Sequence, residues 1–389
     1  MYYDLDTGFE GANAADMEML PDGQGQLPTM AFTADPRGGP EAMWFRFRIR
    51  TLGPGHGGQP LRLLLKHYDN LLGAARPCTL RPVVRYGTGP WQRMGKAEMI
   101  ELPDGRAHVA WTIDAPEEAA EVALCYPYDP PDVEALVEET GGAYRLDTIG
   151  LSQGGRPLWR LSNGPGQPAG EQDAEPARPG IYLIARQHSG ETPGSWVLDG
   201  LLRTMAEQQQ GGAETPLIWC VPLSNIDGVI RGDYGKDNYP YDLNRAWGRP
   251  PMRHETLVIQ RDVGRWLKRC RPVLFADFHA PGVCETGGIY TFTRESDRER
   301  SDYAEIQSWL DAFAKAIGPE LARDPFQRQV DYPSRWDTPN ARAYGLDLPG
   351  TVGATFEIPY TCAHETLLTR QGYQDIGRRM AEAILGRLA

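Results

Sequence analysis

Polar residues that could bind a metal ion follow two apolar runs of this chain. His188 and Glu191 form a His-x-x-Glu pair behind Ile181–Ala185, and His279 comes shortly after Val273–Ala276. Two imidazoles and one carboxylate can hold a catalytic zinc ion and leave one coordination position open for water. Calcium and magnesium instead prefer shells made of oxygen. We therefore predict a Zn²⁺ site formed by His188, Glu191 and His279.

Two further carboxylates suit the surroundings of such an ion. Asp242 begins the sequence Asp-Leu-Asn-Arg and could accept a hydrogen bond from the second nitrogen of a ligand imidazole, which fixes the tautomer. Glu357 ends the apolar run Gly353–Phe356, where it could act as a general base on water activated by zinc. The same carboxylate could then protonate a leaving nitrogen. This set of residues predicts amide hydrolysis.

Asn244 and Arg245 offer a way to hold a substrate. Together they present a side-chain amide and a guanidinium fork, which suits recognition of a carboxylate. The sequence Asn225-Ile-Asp-Gly228 lies behind another apolar run and resembles a tight turn at the same crevice. We expect Asn244 and Arg245 to bind substrate.

The apolar patterns predict two domains, at residues 1–128 and 129–389. Short strands that alternate apolar and polar residues, separated by Gly- and Pro-rich turns, indicate an antiparallel β-sandwich in the first part. From Gly180 onward, continuous apolar runs alternate with amphipathic helical segments. This pattern predicts an α/β fold with a mixed, mostly parallel sheet flanked by helices. The carboxyl ends of such strands meet at one crevice, where the motifs above would converge.

Composition limits the partners of this chain. Its formal net charge of -12 and pI near 5.2 argue against a nucleic-acid surface or an anionic membrane. No apolar segment approaches a membrane span, and the first ten residues lack the features of a secretory signal. The six cysteines are scattered, as is typical of free thiols in a reducing compartment. We predict a cytoplasmic protein; its oligomeric state stays open.

These residues resemble those of the zinc carboxypeptidase family and, within that family, of the cytosolic carboxypeptidase-like subgroup. The resemblance runs through His188-x-x-Glu191, Asn225-x-Asp-Gly, Asp242-Leu-Asn-Arg, Asp277-x-His279 and Thr355-Phe-Glu357, in that order. It implies an eight-stranded mixed sheet, zinc bound by two His and one Glu, and Glu357 as the general base. It also implies that Asn244 and Arg245 clamp the free C-terminal carboxylate of a peptide or protein tail.

Three expectations depend on this resemblance alone. The subgroup usually places an Arg that steadies the oxyanion where this chain has Gly235, so we predict that Lys236 replaces it. Tyr344, or alternatively Tyr332, is expected to cap the substrate. Eukaryotic members of the subgroup remove glutamates from protein tails, and Arg342 or Arg335 could supply the positive charge for such an acidic preference.

Two alternatives share much of this pattern. A zinc deacylase or amidase of small amino-acid conjugates also has His-x-x-Glu and a later His, although Asp242-Leu-Asn-Arg favours the carboxypeptidase. A catalytically silent module that binds protein tails would keep the same fold, and Gly235 favours it. The physiological substrate is left open by the sequence.

Overall fold

The computed structural model describes residues 3–20, 27–52, 60–167, 178–330 and 338–389. The first part of the chain is built from short strands. They are β1 (Tyr3–Asp6), β2 (Ala15–Leu20), β3 (Thr29–Thr33), β4 (Arg46–Thr51), β5 (Leu61–Leu65), β6 (Val83–Tyr86), β7 (Gln92–Arg93), β8 (Glu98–Glu101), β9 (Ala107–Ile113) and β10 (Ala119–Ala123).

These strands form two five-stranded sheets, with the orders β1-β4-β10-β6-β7 and β2-β3-β5-β9-β8. The prediction of an antiparallel arrangement is correct except for one pair, because β3 and β5 run parallel. Alternation explains the packing: Leu61, Leu63 and Leu65 of β5 are fully buried, whereas the residues between them are partly exposed. Phe32 and Phe47 pack with ring centroids 4.7 Å apart in the same core.

The second part of the chain alternates helices and strands. In order these are α1 (Pro130–Glu139), β11 (Arg145–Leu151), β12 (Pro157–Ser162), β13 (Pro179–Ala185), α2 (Thr192–Gln210), β14 (Leu217–Val221), α3 (Ile226–Arg231), α4 (His254–Trp266), β15 (Arg271–His279), β16 (Ile289–Thr293), α5 (Tyr303–Ile317), β17 (Ala322–Gln329), α6 (Ala341–Leu346), β18 (Val352–Glu357), β19 (Cys362–Ala363), β20 (Thr366–Leu367) and α7 (Arg370–Leu388).

An eight-stranded sheet with the order β11-β12-β14-β13-β15-β18-β16-β17 organises this part, and a small hairpin joins β19 to β20. The central strands β14, β13, β15 and β18 are parallel neighbours, while β11, β12 and the β18–β16 pair are antiparallel. The mixed sheet with helices is therefore as predicted. Buried residues fill β13 and β14 without alternation because helices cover both faces.

The two parts share one hydrophobic core. That core includes Phe45 of the sandwich and Trp196 of α2. Polar contacts add to it: Trp196 donates a hydrogen bond to the Tyr126 carbonyl at 3.1 Å, and Arg46 pairs with Asp129 at 2.6 Å. The predicted boundary at residue 128 lies between β10 and α1 and stays a prediction.

Two global predictions can be compared with this fold. All six cysteines are free thiols, as their scattered spacing indicates. Among the helices of the described ranges, none combines the length and the apolar character needed to cross a membrane.

Candidate metal centre and active-site pocket

The metal-binding candidates lie just beyond the carboxyl ends of neighbouring parallel strands. His188 and Glu191 belong to the turn between β13 and α2, and α2 begins directly after Glu191 with Pro193 in its first turn. His279 ends β15, and its register partner across the sheet is Glu357, the last residue of β18. The sheet register thus brings ligand candidates and candidate base to one edge.

His188, Glu191 and His279 converge in a buried cluster. Nδ1 of His188 lies 2.8 Å from Glu191 Oε1, and Nδ1 of His279 lies 2.7 Å from Glu191 Oε2. One potential ligand atom from each residue lies within 4.8 Å of the other two. Both imidazoles therefore direct the same nitrogen at the same carboxylate, and this mixed nitrogen and oxygen donor set fits zinc.

The outward nitrogens of both imidazoles meet carboxylates. Nε2 of His188 lies 3.2 Å from Asp242 Oδ1, where the sequence prediction needs it, and Nε2 of His279 lies 2.7 Å from Asp277 Oδ2. An Nε2 proton donated to each carboxylate leaves both Nδ1 atoms as lone-pair donors for a metal. Asp277 was not assigned this position from sequence, although Asp-x-His on one strand places both side chains on the same face.

Two residues that sequence reasoning missed hold Asp277 in place. Gln187 Nε2 donates to Asp277 Oδ2 at 2.6 Å, and Trp247 Nε1 donates to Gln187 Oε1 at 2.6 Å. All of these side chains are buried. The chain from Trp247 through Gln187 therefore fixes the carboxylate that orients His279.

The charges of this cluster favour a cation. Burial disfavours protonated His188, yet the carboxylates of Glu191 and Asp242 outweigh it and raise its pKa to about 9. Burial also disfavours ionised Glu191, but the imidazoles His188 and His279 hold its pKa below the usual range. The carboxylates thus stabilise positive charge within this cluster. A divalent ion would supply that charge in place of the imidazole protons.

An open pocket of about 290 Å³ adjoins these residues. Its lining includes, besides the metal-binding candidates, Leu72, Gly73, Tyr234, Lys236, Asn244, Arg245, Ala280, Pro281, Gly282, Glu285, Tyr290, Phe292, Arg294, Arg328, Val330, Asn340, Thr355 and Glu357. The candidate base and the candidate carboxylate clamp therefore face the same space as the candidate metal ligands.

Glu357 is a partly buried carboxylate of this pocket. Burial raises its pKa to about 7, although the imidazole of His279 acts in the opposite direction. No described residue donates a hydrogen bond to its carboxylate in this structure. A carboxylate with a pKa near neutrality can accept and return a proton within one reaction cycle.

The N-terminal sandwich contributes part of the pocket wall through Leu72 and Gly73. Gly73 has φ +75°, and a Cβ there would lie 2.4 Å from the Cα of Gly282. Only glycine permits this approach of the sandwich to the loop that follows His279. The sandwich therefore shapes the cleft, a question that the sequence had left open.

The structure explains why position 235 carries no arginine. Gly235 has φ +92°, and a Cβ there would lie 2.5 Å from Ser189 Oγ and 2.6 Å from the Ser189 nitrogen. Any side chain would collide with the His188–Glu191 turn. The next residue, Lys236, lines the pocket, and its ammonium acts to lower the pKa of Glu357.

Asn244 and Arg245 lie on a short 3₁₀ helix, Leu243–Arg245, that Asp242 caps by accepting the Asn244 N–H at 2.7 Å. The Asn244 amide oxygen accepts the Ala341 N–H at 3.0 Å. Its amide nitrogen lies 3.1 Å from His279 Nε2. The proton on His279 Nε2 is directed at Asp277, so this ring nitrogen offers no lone pair to Asn244. The amide protons of Asn244 are therefore left for a substrate oxygen.

The expectations for Arg342 and Tyr344 need correction, because neither residue lines the pocket. Arg342 is buried and forms an ion pair with Asp297, with N–O distances of 2.8 and 3.3 Å. Tyr344 packs its ring against Trp247, 5.1 Å between centroids, inside the core. Their helix α6 turns both side chains inward. Tyr332 and Arg335 lie outside the described residues.

Known proteins resemble this chain in sequence and in fold. The family model described as zinc carboxypeptidase matches residues 132–344. Cytosolic carboxypeptidase 2 of Danio rerio is 29% identical over 262 residues, covering 61% of this chain and 35% of that protein. Cytosolic carboxypeptidase 6 of Mus musculus is 23% identical over 420 aligned positions, covering 98% of this chain and 72% of that protein.

Among solved structures, the metallo-carboxypeptidase from Burkholderia cenocepacia superposes with a TM-score of 0.74 at 19% identity, covering 99% of this chain and 98% of that one. At this identity the likeness establishes the fold. The family match spans more than half of the 389 residues and contains every metal-binding candidate, although it ends before Glu357. The chain therefore belongs to the zinc carboxypeptidase family.

Proposed function

We propose that this chain is a zinc metallocarboxypeptidase that removes C-terminal amino acids from peptides or protein tails. One observation carries the proposal: a buried His/Glu/His cluster, a carboxylate with a raised pKa and an Asn–Arg pair line the same pocket. The family supports hydrolysis with zinc. The relatives are called cytosolic carboxypeptidases, which supports the cytoplasm as the compartment.

In this proposal His188, Glu191 and His279 hold the metal, and Asp242 and Asp277 keep the imidazoles oriented through Nε2. Bound zinc would supply Lewis acidity toward water and the scissile carbonyl. Glu357 takes the proton of the attacking water at its carboxylate oxygen and then delivers it to the amine nitrogen that leaves. The raised pKa of Glu357 supports this double use.

The free C-terminal carboxylate of the substrate would bind Asn244 and Arg245. A guanidinium and an amide on consecutive residues can approach one carboxylate with parallel N–H donors, which are stronger than neutral hydrogen bonds. This contact fixes which peptide bond meets Glu357, because only the last bond lies within reach. The activity is therefore exo-proteolytic.

Amidating the substrate C-terminus tests this clamp. We expect kcat/KM for the free acid to exceed that for the matched amide by at least about 100-fold, since charged hydrogen bonds contribute about 1.5–3 kcal/mol each. The Arg245→Met variant should lose most of this preference for the free acid over the amide. Exposed Arg249, which does not line the pocket, supplies the matched control Arg249→Met. Equal hydrolysis of acid and amide would instead favour a deacylase or amidase.

Lys236 is proposed to stabilise the negative charge that develops on the carbonyl oxygen. Its ammonium shares the pocket with Glu357, and the closed backbone at Gly235 leaves no space for an arginine there. Preorganised donors at a developing oxyanion are typically worth about 3 kcal/mol.

Replacing Lys236 with Met should therefore lower kcat about 100-fold with little change in zinc content. Lys236→Arg keeps the positive charge and should retain much more activity. Steady-state kinetics of both variants, together with metal analysis, give the comparison. An unchanged kcat in Lys236→Met would mean that another donor stabilises the charge on the carbonyl oxygen.

We further propose a preference for acidic C-terminal residues, supported by cations other than Arg342. Arg294 and Arg328 line the pocket wall built by β16 and β17. Arg328 also contacts Glu285 at 3.2 Å and lies over the Tyr290 ring, 5.5 Å from its centroid. An incoming side-chain carboxylate would thus meet a wall with two guanidinium groups and one carboxylate.

Peptides that end in Glu or in its isostere Gln measure this preference. We expect kcat/KM to favour Glu about tenfold, and Arg294→Met or Arg328→Met to reduce that ratio. Arg323→Met is the matched control, because Arg323 contacts the same Glu285 at 3.2 Å without lining the pocket. A wild-type ratio near one would remove the acidic preference and leave the peptidase assignment intact.

A further inference from the structure

Two thiols meet where the sandwich contacts the pocket. Cys78 belongs to the sandwich, and Cys284 lies on the loop that follows His279. The two thiols lie close enough for each to shift the pKa of the other, and the Tyr68 hydroxyl lies 2.9 Å from Cys284 Sγ. Thr79 Oγ1 donates to the Cys284 carbonyl at 3.1 Å. Side-chain and backbone contacts thus hold both cysteines in one small cluster.

The backbone around this cluster is tied across the domain junction. The Val283 N–H donates to the Leu72 carbonyl at 2.9 Å, and the Cys284 N–H donates to the Gly73 carbonyl at 3.3 Å. Gly282 and Glu285 of the same loop line the pocket. A bond between the thiols would therefore join the sandwich to the pocket wall.

The surroundings of the pair favour one thiolate. The neighbouring Cys78 thiol lowers the pKa of Cys284 to about 5, aided by Tyr68 and opposed by burial. Burial raises the pKa of Cys270 to about 12 and also raises that of Cys362. A thiolate beside a second thiol is the arrangement of peroxide-sensitive cysteine pairs.

We propose that Cys78 and Cys284 are a redox-active dithiol that hydrogen peroxide oxidises to a disulfide. The Cys284 thiolate attacks one peroxide oxygen, which breaks the O–O bond and gives a sulfenic acid and hydroxide. Cys78 then attacks that sulfur, the S–O bond breaks, and the oxygen leaves as water with the Cys78 thiol proton. The proton that Cys284 released on ionising neutralises the first hydroxide. Overall, two thiols and one peroxide yield one disulfide and two waters. Peroxide is small enough for a site whose Cys284 is buried while Cys78 is partly exposed.

Thiol counting after peroxide treatment tests the proposal without reference to peptidase activity. The reduced 389-residue protein is treated with a slight excess of peroxide, denatured and titrated. We expect the six thiols to fall by two, a Cys78–Cys284 cross-linked peptide in the mass spectrum, and full recovery with dithiothreitol. Cys270→Ser, which removes a thiol elsewhere, should still lose two.

Two variants make the test specific. Cys78→Ser should stop at a sulfenic acid on Cys284 that dimedone traps, and Tyr68→Phe, which keeps the ring, should oxidise several-fold more slowly. The proposal is overturned if Cys78 and Cys284 stay reduced while Cys270 or Cys362 reacts. It is equally overturned if either cysteine pairs with a different partner.

Discussion

We expect a Glu357→Gln variant to retain its zinc and to lose turnover by about 10³- to 10⁴-fold, at the upper end of what general acid–base catalysis contributes. The amide keeps the size of the carboxylate but cannot accept a proton from water. No described residue donates to this carboxylate, so the substitution breaks no hydrogen bond within the described part of the chain. The loss therefore measures proton transfer and not folding.

Glu285→Gln provides the matched control for this experiment. Both carboxylates line the pocket, but Glu285 receives contacts from Arg323 and Arg328 and has no assigned step. We expect Glu285→Gln to change kcat by less than about tenfold. If Glu357→Gln turns over like the wild type, Glu357 is not the base. If the wild type itself is inert with zinc bound, the chain is a binding module.

The second large effect is expected at the metal. His279→Ala should lower zinc affinity by several orders of magnitude and abolish turnover, because a ligand is lost and Glu191 and Asp277 lose their shared partner. Asp277→Asn should weaken zinc only about 10- to 100-fold, since it alters the orientation of His279 and not the ligand. Competition with a chromogenic chelator measures both affinities.

Exposed His254, at the start of α4, is the control histidine for this series. His254→Ala should bind zinc like the wild type. Circular dichroism establishes that each variant is folded before its affinity is interpreted. Equal zinc affinity in His279→Ala and the wild type would place the metal elsewhere.

Sequence patterns predicted much of this site because its residues follow buried strands. Continuous apolar runs marked β13, β15 and β18, and parallel strands end at one edge, so His188, His279 and Glu357 could be brought together without coordinates. The alternation of apolar and polar residues likewise predicted the sandwich. It could not predict the parallel β3–β5 pair, because the order of strands in a sheet depends on long-range contacts.

What escaped prediction depends on partners distant along the chain. Arg342 has the charge expected of a substrate-binding residue, and only the fold reveals that Asp297 neutralises it. Gln187 supports Asp277 from 90 positions away in the sequence, and no local sequence pattern indicates this contact. Gly73 likewise lines the pocket only because the sandwich packs against the loop after His279, a contact that no local sequence pattern indicates.

X-ray absorption at the zinc edge of the purified, zinc-loaded protein tests the central claim most directly. The account predicts one zinc per chain with a shell of nitrogen and oxygen near 2.0–2.1 Å, including two imidazoles. That imidazole signal should be reduced in any His279→Ala protein that still binds metal. A sulfur shell near 2.3 Å, or a zinc site that His279→Ala leaves unchanged, would contradict the account.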